Sequence, residues 1–165
     1  MGFWTRDELM FVGTTANGID AKGRVSVPAE FRATVTAEGF AGIYVWPSFN
    51  GAFLEGGGPR LLASFGEAVE TLPPYDKART AIERVIFGGA KPLMFDSTGR
   101  VSMPKGFGDH AGLSSQAVFI GMGKRFEIWS PEAHATQRGE DFSYALENRD
   151  ALRTPPQTTK GAGSS

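Results

Sequence analysis

The chain contains no cysteine. That absence removes disulfides, thiolate metal sites and cysteine nucleophiles together, and it fits a reducing compartment. Histidine is almost as scarce. The two present, His110 and His134, have no ligand or triad partner at motif spacing, so neither metal chemistry nor nucleophilic catalysis has a residue set to build on. No apolar run reaches bilayer length, and the opening MGFWTRDELMF carries charges where a signal peptide needs its apolar core. A basic excess is missing too: 17 Lys and Arg stand against 18 Asp and Glu, a formal net charge of −1. This argues against a protein that holds nucleic acid by bulk charge alone. Together the absences predict a soluble cytoplasmic protein that is not an enzyme, with no cofactor, metal, small-molecule substrate or membrane partner.

What the chain does have is apolar volume and a repeat. Hydrophobic residues make up 41% of the 165 positions and 13 are Phe, enough to exclude water without covalent staples. The stretch DAKGRVSVPAEF at residues 20–31 returns in the same order as DSTGRVSMPKGF at 96–107. Extended by one position, the two copies agree at about half of their residues, which marks a duplication. DAKG and DSTG read as tight turns, in which an Asp accepts from nearby backbone amides and a Gly takes positive φ. The turn leads into RVSVP, where Val25 and Val27 alternate with Arg24 and Ser26 as in a half-buried strand. Pro28 cannot donate to a ladder but suits a first helical position, so PAEFRATV is expected to open a short helix. Two further strands follow in each copy, GIYVW (42–46) and GAFLE (51–55), then AVFIG (117–121) and RFEIW (125–129). A unit this small cannot hide its apolar face alone. Two copies can pack on each other, and the expected fold is α+β, mainly β: one pseudo-twofold barrel built from two tandem repeats, with peripheral helices.

The connecting segments set the domain expectation. Leu61, Leu62, Phe65, Val69 and Leu72 recur at helical spacing, a second helix is expected over DKARTAIERVIF with Asp76 as its N-cap, and a third from Ser130 and Pro131. We therefore expect a first half over 10–57, a helical connection over 58–85, a second half over 86–131, a C-terminal helix over 132–152, and a disordered tail over 153–165, where RTPPQTTKGAGSS lacks apolar residues. The glycines at 56–58 read as linker, and GMGKR at 121–125 as a turn without Walker spacing. Of the three Trp, at 4, 46 and 129, the last reads as a buried anchor in an apolar strand.

The candidate functional residues lie at the two turns. Arg24 and Arg100 follow the turn glycines, where a guanidinium can project beyond the sheet and make planar contacts with phosphates or guanine edges. Asp20 and Asp96, four positions earlier, can shape the turn or hold the guanidinium in one direction through a charge-assisted bond. For a single copy the simpler reading is a surface ion pair, worth about 0–1 kcal/mol. Duplication shifts the balance, because Asp, Gly and Arg are kept while Ala21 and Lys22 become Ser97 and Thr98. Lys22, Lys124 and Arg125 read as surface charge that would add salt-dependent phosphate attraction if near the tips. Arg32 has Gly108 as its counterpart, so whatever it does is done once.

MFVGTTANGIDAKGRVSVPAEFR, the second FDSTGRVSMP and the closing VFIGMGKRFEIWSPEAH together resemble the MraZ family over most of residues 10–147. The resemblance implies a swapped-hairpin barrel of the AbrB and MazE kind made within one chain, and assembly into a ring-like homo-oligomer. It also implies a nucleoid-associated regulator that binds direct repeats in double-stranded DNA and chiefly represses its own division and cell-wall gene cluster. The family's DNA-facing segments fall here on Asp20 with Arg24 and Asp96 with Arg100, and the candidate DNA-binding set is Asp20, Lys22, Arg24, Asp96 and Arg100. A MazE-like antitoxin, or a protein-interaction module that never touches DNA, are the alternatives. The departure from the family pattern is KGFGDHAGL (105–113), where Gly106 and Gly108 each weaken a helix by about 1 kcal/mol relative to Ala.

Overall fold

The computed structural model describes residues 9–153. These divide after His134 into two compact units. The first copy contributes β1 (Thr14–Gly18), β2 (Arg24–Ser26), α1 (Ala29–Ala37), β3 (Gly42–Pro47) and β4 (Leu54–Gly57). Two helices follow, α2 (Pro59–Val69) and α3 (Lys77–Ile86). The second copy repeats the order as β5 (Lys91–Met94), β6 (Arg100–Ser102), α4 (Lys105–Ala111), β7 (Gln116–Gly121) and β8 (Phe126–Trp129). Helix α5 (Pro131–Glu147) runs from the end of the first unit into the second.

Local chemistry accounts for the element boundaries. Asp76 caps α3 by accepting from the amides of Ala78 and Arg79. Ser130 Oγ accepts from the Ala133 amide at the start of α5, just before Pro131. The residue before each short helix is a proline, Pro28 and Pro104, with extended backbone that ends the preceding strand. Helix α4 forms despite Gly106 and Gly108, but it has 7 residues where α1 has 9 and stops at Gly112 in the left-handed conformation.

Among the described residues all six strand pairings are antiparallel; β3–β4 and β7–β8 lie within a copy, and the other four cross between the copies. One sheet has the order β1-β7-β8-β4-β3-β5, and the other is the two-stranded ribbon β2-β6. Replacing each strand by its counterpart in the other copy turns the six-strand order into its own reverse, as a pseudo-twofold axis between β4 and β8 requires. Each hairpin therefore gives its first strand to the other copy: β1 pairs with β7, and β5 with β3. The sheet runs from β1 to β5, and no pairing joins these two among the described residues. The result is a mixed α/β body with antiparallel pairing among the described residues.

A single core holds the copies together. Val25, Val27, Phe31 and Val35 of the first meet Val101, Phe107, Phe119, Phe126 and Ile128 of the second. Phe11 stands edge-on to both Phe31 and Phe126, at centroid distances of 5.3 and 5.1 Å. Each such side chain contributes about 1.5–3 kcal/mol by leaving water. A smaller cluster joins Trp46 to Leu61 of α2 and Ile86 of α3, so the anchoring Trp is Trp46; Trp129 is only half-buried and stacks on Phe53 at 4.4 Å.

A second reading of the sequence is also corrected. The glycines at 56–58 are not a linker: Gly56 and Gly57 are buried strand residues of β4, and Gly58 precedes α2. A Cβ on Gly56 would lie 2.5 Å from Phe126 Cζ and 2.8 Å from the Tyr44 carbonyl oxygen. Glycine is required there by close approach. The strand correspondingly starts at Leu54, and Gly51–Phe53 belong to the preceding loop.

Candidate nucleic-acid interface

The two turns are built alike. Asp20 Oδ1 accepts from the amides of Lys22 and Arg24, both at 2.9 Å, while Oδ2 accepts from Arg24 Nε at 2.7 Å. Asp96 Oδ1 accepts from the amides of Thr98 and Arg100, both at 2.9 Å, and Oδ2 from Arg100 Nε at 2.9 Å. Each carboxylate thus shapes the turn with one oxygen and aims the guanidinium with the other. Gly23 and Gly99 both have φ of +80°, the left-handed conformation these turns need. Amide donation to the carboxylates, with Arg24 and Arg100 the leading donors, holds both carboxyls below the usual range, so both are ionised at neutral pH.

The ribbon brings the turns together. Arg24 lies opposite Ser102, Val25 opposite Val101, and Ser26 opposite Arg100. Side chains alternate across a strand, so Val25 and Val101 fall on the core face at 0% and 1% exposure while both arginines share the outer face as diagonal neighbours. Their side chains are each about one-third exposed, and Arg100 Nη1 also comes within 3.6 Å of Asp20 Oδ2, an ion pair between the copies. The backbone is cross-linked in the same way: Val27 donates to the Gly99 carbonyl and Met103 to the Gly23 carbonyl.

Of the remaining candidates, Lys22 is exposed on the first turn. Lys124 and Arg125 lie at the β7–β8 turn, where Arg125 approaches the buried Glu55 at 3.7 Å. Sequence reasoning assigned no role to Arg32. In the structure Nη1 donates to the carbonyl of Val27, next to Pro28 in its own copy, and the guanidinium lies against Gly99 of the second turn. The available signal was its lack of a counterpart. The turns thereby gather Lys22, Arg24, Arg32 and Arg100 against two carboxylates, a local cationic excess in a near-neutral chain.

Among the described residues no cluster of His, Cys, Asp or Glu could hold a metal ion, and no helix is long and apolar enough to cross a membrane. His110 Nε2 is 2.9 Å from the Gly51 carbonyl oxygen, a packing contact between α4 and the β3–β4 loop.

Comparison with known proteins gives the family. A family model described as "MraZ protein, putative antitoxin-like" matches residues 86–154. A protein of Caulobacter vibrioides named transcriptional regulator MraZ is 40% identical over 154 residues, covering 93% of this chain and 98% of the relative. Proteins of the same name are 40% identical in Rickettsia canadensis, over 87% of this chain and 97% of theirs, and 43% identical in Parvibaculum lavamentivorans, over 76% and 78%. The chain belongs to the MraZ family.

Proposed function

We propose that this protein is a transcription regulator that binds double-stranded DNA in a sequence-specific way, with the β2-β6 ribbon and its two turns as the contacting surface. The observation that carries the reading is the placement of Arg24 and Arg100 on one exposed face, each aimed by its own carboxylate. A two-stranded antiparallel ribbon is narrow enough for the major groove, and a guanidinium held in one direction makes two-pronged contacts to guanine or to phosphate. The strand exchange between copies supports the swapped-hairpin, AbrB-like barrel as the scaffold, with domain limits near those expected from the repeat. The names of the relatives support regulation of transcription.

A near-neutral chain with two short turns holds DNA weakly by itself. Assembly into a ring-like homo-oligomer would present many ribbons, and a DNA carrying direct repeats would then be gripped through effective concentration. On this reading the protein sits on the nucleoid in the cytoplasm and represses its own division and cell-wall cluster by occupying the promoter. The antitoxin alternative needs an extended segment free to wrap a partner. The second copy is instead folded, with its strands committed to pairing with the first.

Titration of a duplex carrying the DNA upstream of its own gene tests the proposal. Arg24→Ala and Arg100→Ala should each weaken binding and lower the slope of log K against log salt by about 0.9 for every phosphate no longer neutralised. Unchanged affinity and slope in both variants would show that the turns are not the contacting surface.

A further inference from the structure

We propose that Arg32 is the positioning residue of the second turn, and that this brace makes Asp96–Arg100 the turn that discriminates base sequence while the unbraced Asp20–Arg24 turn chiefly holds phosphate. The inference rests on the DNA-facing reading above and adds a division of labour between the two repeated turns.

The asymmetry comes from one side chain. At the junction of the copies, the carbonyl of each turn glycine accepts from the residue preceding the other copy's proline: Gly99 from Val27 at 3.2 Å, Gly23 from Met103 at 2.8 Å. Arg32 Nη1 donates to the carbonyl of that same Val27, so the guanidinium spans the junction on the second-turn side. It lies so close that a Cβ on Gly99 would be 2.7 Å from both Cζ and Nε of Arg32. At Gly23 a Cβ would meet only the Met103 carbonyl oxygen, at an ordinary 3.5 Å. The position that would brace the first turn is Gly108, around which nothing lies within 4 Å of a Cβ.

The cations of the two turns differ accordingly. The first carries Lys22, exposed and on a flexible stem; the second has Thr98 there, whose hydroxyl donates to Asp96 Oδ1 at 2.9 Å, and takes its extra cation from the helix. Telling one base edge from another needs a donor fork held within a fraction of an ångström, whereas attraction to phosphate depends on charge and tolerates motion. The braced turn suits the first task and the turn carrying the flexible Lys22 side chain the second.

The test uses the full chain and two duplexes, the DNA upstream of its own gene and a shuffled sequence of the same length and base composition. Arg32→Ala and Arg32→Lys should each lower the ratio of upstream to shuffled affinity by about tenfold, with the salt slope unchanged, because Lys keeps the charge but not the planar group that covers Gly99. Amide exchange should quicken at Gly99 and Arg100 in both variants and stay unchanged at Gly23 and Arg24. If Lys restores wild-type behaviour and Ala lowers the salt slope by about 0.9, Arg32 is itself a phosphate contact and the positioning role is wrong. If exchange rises equally at both turns, or at neither, there is no selective brace. If the wild-type chain binds neither duplex, the DNA reading fails and the division of labour with it, while the exchange data still decide whether Arg32 braces the turn.

Discussion

The first and second turns share their hydrogen-bond pattern, their glycine conformation and their place on the ribbon, yet they differ in what surrounds them. Asp20 supports its arginine and also draws Arg100 from across the ribbon, beside an exposed Lys22. Asp96 supports its arginine, takes the Thr98 hydroxyl and sits beside a glycine covered by Arg32. Duplication set the turn geometry twice. The copies differ at both turn residues between Asp and Gly, and at the helix position that reaches the partner turn. A duplicated site inside one chain need not remain symmetric in the way that two identical subunits must.

The largest expected effect comes from the side where the turns should behave alike. Val25 and Val101 face each other beneath the ribbon at 0% and 1% exposure. Val25→Asp and Val101→Asp each bury an unpaired carboxylate, at a cost of about 3–5 kcal/mol, a large part of the roughly 5–15 kcal/mol that holds a typical domain. Urea denaturation should show both variants severely destabilised and within about 1 kcal/mol of each other. Unequal losses would mean that the core under the ribbon is not shared.

A smaller effect should separate the turns. Gly23→Ala and Gly99→Ala both force an L-residue into positive φ, at about 1–2 kcal/mol each. Only at Gly99 does the new methyl also meet Arg32. Moving that guanidinium aside breaks its bond to the Val27 carbonyl, so Gly99→Ala should cost about 0.5–1.5 kcal/mol more in denaturant melts, and the excess should vanish when Arg32→Ala is added. Equal costs in the wild-type background would remove the physical basis of the asymmetry.

The turns were legible in the sequence because their geometry is local: an Asp that accepts from amides two and four residues on, a glycine at the left-handed position and an alternating Arg-Val-Ser are written within a few residues. The repeat announced that two such turns exist, and the core face of the strand followed from alternation. Their meeting on one ribbon was not legible, since antiparallel pairing of β2 with β6 and the exchange of β1 and β5 are choices between distant segments. The same holds for Arg32, whose contact with Gly99 depends on where α1 comes to lie. The glycines of β4 misled for a related reason. Composition suggests flexibility, but Gly56 is small because the Phe126 ring of the other copy needs the space.

The subtlest expected difference is in the protonation of the two carboxyls. Both are held below their ordinary values, chiefly by the backbone amides of Arg24 and Arg100, and Asp96 alone has a turn hydroxyl, that of Thr98, among its donors. A carboxyl whose folded pKa is depressed stabilises the fold fully above its unfolded value of about 3.9, and that contribution is lost as pH falls through the folded pKa. Neither turn should therefore change between about pH 6 and 8, and acid should loosen the first turn before the second. Carbon-13 shifts of the side-chain carboxyls should place the Asp20 midpoint above that of Asp96, and Thr98→Ala should raise Asp96 toward Asp20 without moving Asp20. Coincident midpoints, or a reversed order, would mean that the hydroxyl adds nothing and that the turns differ only through Arg32.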